Sequence, residues 1–81
     1  MGFTLADRVV ALRRGTGLSQ EKLAQRMDMS RNTLWHIESG RTANPRMDHL
    51  IALCQALDVS ADYLLGLTES TESHKESIGY A

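Results

Sequence analysis

The sequence contains one cysteine, one proline and no long apolar run. Each shortage excludes something. Cys54 has no second cysteine to pair with, so the chain makes no internal disulfide and no cysteine-based structural zinc site. A membrane span needs about 18 uninterrupted apolar residues, and no stretch approaches that. Asp7, Arg8, Arg13 and Arg14 interrupt the first twenty residues, which removes any apolar signal-peptide core. The expected compartment is therefore the cytoplasm. His49, His74 and Cys54 offer no pair with metal-ligand spacing on one helix face. No carboxylate pair, nucleophile–base arrangement or phosphate loop can be placed, so neither catalysis nor a cofactor is expected. At 81 residues there is room for one domain with a small core and for no deep substrate cavity.

What is present begins with charge. The net charge of −1 hides an asymmetry. Residues 1–46 carry eight Arg and Lys against four Asp and Glu, a net +4, while residues 47–81 carry one against six, a net −5. A basic front and an acidic back prompt a search for a polyanion site on the basic half.

Apolar spacing near 3.6 predicts an all-α chain of five helices. Leu5, Val9 and Leu12 make one buried stripe in a helix over 5–14, capped by Thr4 with Asp7 in its first turn. Gly15 and Gly17 stop it. Ser19 caps a helix over 20–27, with Leu18 and Leu23 as its hydrophobic staple, and Ser30 caps a helix over 31–39, with Met29 and Leu34. Gly40 ends the third helix. Asn44 and Pro45 are read as cap and first residue of a fourth helix, whose stripe is Leu50, Leu53, Cys54 and Leu57. Ser60 caps a short fifth helix over 61–65, which Gly66 terminates. Met27, Met29 and Met47 are expected to fill the core, as is Cys54, and His49 to face solvent. The domain is placed at 1–67. Residues 68–81 lack an apolar face over most of their length and read as a solvated, mobile tail, with Ile78 and Tyr80 as its only large apolar groups.

Residues 20–39 form the central unit. Leu23, Met27, Met29, Leu34 and Ile37 are apolar where two crossed helices would meet a common core, and Ala24 is small where they approach. Arg31, Asn32, Thr33 and His36 lie on the outer side of the second. This is a helix-turn-helix pattern, in which one helix braces another that enters a major groove.

With Leu-Ser-Gln-Glu-Lys-Leu-Ala-Gln at 18–25, Ile-Glu-Ser-Gly-Arg at 37–41, Pro45, and Val-Ser-Ala-Asp-Tyr-Leu-Leu-Gly at 59–66, the chain resembles the phage-repressor type of helix-turn-helix domain, the lambda repressor and Cro group, over residues 4–67. One position departs from the pattern: Asp28 stands where the turn usually has glycine. The resemblance implies a compact five-helix fold and a transcriptional regulator that binds a palindromic double-stranded DNA operator as a homodimer. It implies repression where the operator overlaps a promoter, and residence on the nucleoid.

The resemblance also distributes roles. Arg31, Asn32, Thr33 and His36 would meet base edges, where arginine suits guanine and asparagine suits adenine. Ser19, Gln20, Arg41, Asn44 and Arg46 would hold phosphates, Gln20 with help from its helix N-terminus. Arg13 and Glu38 would form an ion pair between helices one and three. Tyr63, Leu64 and Leu67 would form the dimer contact. Trp35 is expected to half-bury against helix two, the other reading being contact with a thymine methyl or a sugar edge. Narrower variants of the same activity are an antitoxin and a controller protein of a restriction–modification operon. A different class is a protein-interaction adaptor that leaves the DNA face unused, and a regulatory protein partner is compatible with either.

Overall fold

Thr4, Ser19, Ser30 and Ser60 each have extended backbone and a side-chain oxygen that accepts the N–H three residues on. Each satisfies a donor that the helix itself leaves free. In the computed structural model, which describes residues 4–41 and 45–69, these caps start four of five helices. They are α1 (Leu5–Gly15), α2 (Gln20–Arg26), α3 (Arg31–Glu38), α4 (Met47–Leu57) and α5 (Ala61–Leu64). Thr4 and Asp7 complete a reciprocal capping box, with both bonds at 3.1 Å.

The helix ends reuse one device. After α1, Leu18 N–H donates to the Arg13 carbonyl and Gly17 N–H to that of Arg14, with Gly17 at φ +77°. After α5, Leu67 and Gly66 do the same to Asp62 and Tyr63. After α2, Met29 donates to Ala24 and Asp28 to Gln25, but the left-handed residue is Asp28, at φ +54°. This is the Schellman termination, and it makes the turn between α2 and α3. Asp28 adopts a backbone that glycine reaches without a Cβ penalty.

The core draws one fully buried large side chain from each helix: Val9, Leu23, Leu34, Leu53 and Leu64. Ala24, Met27, Ile37, Leu57 and Val59 complete it, and Leu5, Leu12, Met29, Leu50 and Cys54 pack on its edge. α1 touches α3, α4 and α5, while α2 and α3 share the most extensive contact. The chain is all-α, as the spacing predicts, and no strand occurs among the described residues.

Four expectations are corrected. α4 starts at Met47, not at Pro45: Arg46 is still extended at φ −62°, ψ 152°, so Pro45 precedes the helix. Met47 is 70% exposed instead of buried, because it shares the outer side of α4 with Ile51, one turn on and 50% exposed. His49 is partly buried rather than fully in solvent. α5 ends one residue early, with Leu65 as its C-cap. Asn44, His74, Ile78, Tyr80 and most of the predicted tail lie outside the described residues.

Candidate nucleic-acid interface

Leu34 and Ile37 anchor α3 in the core at 0% and 2% exposure. Their burial turns Arg31, Asn32 and Trp35 outward, all exposed, with His36 partly buried at the flank. Arg31, Asn32 and Trp35 line a shallow, open recess of about 400 Å³. Thr33 is more constrained: its hydroxyl lies 2.9 Å from that of Ser30, inside the cap.

Trp35 keeps 42% of its surface exposed, so a large part of the indole is accessible. At the fifth position of α3 it points away from the Leu34–Ile37 side, so its ring joins the polar face. The Arg41 guanidinium lies 5.2 Å from the ring centroid. His36 meets the ring edge-on, at 5.1 Å and 74°.

A second, polar trough runs beside this face. Arg13, Arg14, Ser19, Gln20, Glu21 and Arg31 line it, three cationic side chains against one carboxylate. Ser19 Oγ is occupied by Lys22 N–H at 3.1 Å. The first N–H groups of α2 lie beyond reach of any intrahelical carbonyl and point out of the helix start, next to two exposed arginines. Arg14 was not singled out from sequence; its place in the last turn of α1, just before the glycine turn, is the signal that would have found it.

Beneath the trough, three helices are tied by one carboxylate. Arg13 Nε donates to Glu38 Oε2 at 2.6 Å and Nη2 donates to Oε1 at 3.1 Å. Gln20 Nε2 donates to the same Oε1 at 3.0 Å, and Arg13 Nη1 to the Leu18 carbonyl at 2.9 Å. The expected ion pair is present, and Gln20 is part of it. One of its two amide hydrogens is therefore already used.

Arg41 is exposed beyond the C-terminus of α3. Arg46 is exposed and forks onto Asp48, at 3.1 and 3.3 Å. Desolvation raises the Asp48 carboxyl, but the Arg46 hydrogen bond and charge, together with the His49 charge and backbone N–H, outweigh it and hold the group below its ordinary value. The fork also means that the Arg46 charge is partly balanced within the chain.

The residues expected at a dimer contact separate. Leu64 is 1% exposed and belongs to the core, because α5 is one turn long and needs that side chain to hold it down. It has no surface to offer a second chain. Tyr63 is partly buried under Arg8, whose guanidinium lies 4.7 Å from its ring centroid. Leu67 is 73% exposed, and Leu65, at 52%, takes the outward position that Leu64 does not. Among the described residues no group of three or more His, Cys, Asp or Glu could hold a metal ion. Among the same residues no helix is long and apolar enough to cross a membrane.

A short helix capped at Ser30, braced by α2 through a tight turn and presenting Arg31 and Asn32 at its start, defines a helix-turn-helix of the phage-repressor class of DNA-binding transcriptional regulators. The class is not enzymatic. Residues 4–70 match the helix-turn-helix domain family, and the chain belongs to it. It is similar to an uncharacterised HTH-type transcriptional regulator, YobD, of Bacillus subtilis (strain 168), with 32% identity over 70 residues. That match covers 86% of this chain and 62% of the relative, so the chain spans less than two thirds of that relative's length. Among solved structures it is similar to the P22 c2 repressor in complex with a synthetic operator, with 28% identity and a TM-score of 0.76. That match covers 83% of this chain and all of the repressor chain.

Proposed function

We propose that this protein is a sequence-specific repressor that inserts α3 into the major groove of an operator and acts as a homodimer on a palindrome. The observation that carries this is the continuity of two surfaces: the outward row Arg31, Asn32 and Trp35, and the basic trough of Arg14, Ser19 and Gln20 at the start of α2. One face reads and the other grips, which is the division that duplex recognition requires. The similar P22 c2 repressor was solved on an operator, which supports the same use here.

Arg31 and Asn32 meet base edges, with His36 one turn further along the groove and Thr33 acting mainly through its cap. Backbone N–H groups of Ser19–Gln20 and the remaining Gln20 amide hydrogen take a phosphate. Arg41 and Arg46 flank a second phosphate, and Asn44 belongs to that group by its position in the sequence. Two copies meet through Leu65 and Leu67, with Tyr63 at the edge. Their recognition helices then enter grooves about 34 Å apart. The protein works in the cytoplasm, on the nucleoid.

Selection from random duplex DNA tests this reading. The expected product is a palindrome with half-sites one helical turn apart. Its binding should weaken with salt along a log–log slope of about −4 to −7, from four to eight phosphate contacts per dimer. Folded protein that enriches no motif at low salt refutes the reading and favours an adaptor bound to a protein partner.

A further inference from the structure

Trp35 is the largest apolar group on the outer face of α3, and it is 42% exposed among polar neighbours. Arg31 precedes it by four residues and Asn32 by three, so all three share one side of the helix. The ring is held rather than free. Arg41 covers it at 5.2 Å and His36 abuts it at 5.1 Å, nearly perpendicular. A guanidinium over an indole is attracted by the ring quadrupole and keeps its in-plane N–H donors available. The result is an upright apolar wall closing a recess whose other sides are the polar Arg31 and Asn32.

We infer that this recess reads the C5-methyl group of a pyrimidine, with Trp35 as the residue that distinguishes thymine from a base lacking that methyl. The inference rests on the proposed entry of α3 into the major groove. In a stacked duplex the base faces are covered and only their edges reach the groove, so the indole has nothing to stack on. The apolar group that an edge presents there is the thymine methyl. Arg31 and Asn32 beside it make bidentate contacts to neighbouring purines, which sets the methyl against the ring. Arg41, stacked on the same ring, reaches the adjacent phosphate and couples base reading to backbone grip.

The test uses the full chain and the palindrome recovered by selection. Thymine is replaced by uracil one position at a time, in both half-sites together, which removes only a methyl. Binding constants are measured for the wild type and for Trp35→Ala, whose fold is verified by circular dichroism. One step should weaken wild-type binding by about threefold to tenfold per half-site on loss of its methyl. At that step Trp35→Ala should bind thymine and uracil duplexes equally while keeping its sensitivity elsewhere. Placing 5-methylcytosine instead of cytosine at the same step should strengthen wild-type binding and leave Trp35→Ala unmoved. Wild-type binding indifferent to uracil at every step overturns the inference alone. So does a Trp35→Ala protein that keeps the wild-type thymine-to-uracil ratio, or that weakens uniformly on all duplexes, as loss of a sugar contact would. Folded wild type that binds no duplex overturns the proposed function and this inference with it.

Discussion

Removing one member of the Arg13–Glu38 pair should destabilise the protein more than any surface change. The side chains are 12% and 5% exposed, and the fork is short, at 2.6 and 3.1 Å. Both charges have left water. Arg13→Ala would leave the Glu38 carboxylate with only the Gln20 amide for a partner. Glu38→Ala would leave the Arg13 guanidinium with only the Leu18 carbonyl. Breaking a buried pair on one side costs about 3–5 kcal/mol, against a total of about 5 kcal/mol for a domain at the low end of the usual range. At about 4–8 °C per kcal/mol for a small domain, each single variant should melt at least about 12 °C lower. Arg13→Met with Glu38→Leu removes both charges and fills the space. That variant should recover to within about 2 kcal/mol of the wild type, since an apolar pair avoids the desolvation penalty. Thermal and urea melts followed by circular dichroism at 222 nm measure all three. Single-variant losses below about 1 kcal/mol, as for exposed ion pairs, would refute the argument that desolvation makes this pair matter.

Other consequences follow from single residues. Asp28→Gly should raise stability by about 0.5–1 kcal/mol by relieving the left-handed backbone between α2 and α3; an unchanged melting temperature would show that the aspartate side chain compensates in place. Burial pushes the Cys54 thiol above its ordinary value of 9.0. Its contribution to stability is therefore complete below that value and is lost as pH rises through the higher folded value, so alkaline melts of the wild type should fall further than those of Cys54→Ala. The same burial should slow modification by a thiol reagent at neutral pH until the protein is unfolded. Arg31→Ala should cost about 1–3 kcal/mol on the selected operator and flatten preference at one base pair; equal losses on every duplex would make Arg31 a phosphate contact. Leu67→Glu should shift a sedimenting dimer toward monomer without changing the helical spectrum, whereas the same substitution at Leu64 should unfold the chain.

Much of the architecture was legible because it is local. Thr4, Ser19, Ser30 and Ser60 each act within three residues, and a hydroxyl before an apolar-periodic run is a signal that needs no partner elsewhere. The ion pair between Arg13 and Glu38 was reached through family resemblance, since no local pattern joins residues 25 apart. The start of α4 is not legible locally, because Pro45 satisfies the rule for a first helical residue while the extended Arg46 after it delays the helix.

Five helices, roughly where each begins, and the leucines and valines of their inner stripes can be read along the chain without any long-range information. Hydrophobic periodicity and capping act over a few residues and are written in the order of the chain. Only packing between helices fixes which side of α3 carries Trp35, makes Leu64 core and Leu65 surface, and brings Arg14 to Ser19 and Gln20 at one trough. Those outcomes depend on how the helices are rotated against one another. That rotation is set when Val9, Leu23, Leu34, Leu53 and Leu64 are buried together, a condition no single segment can express.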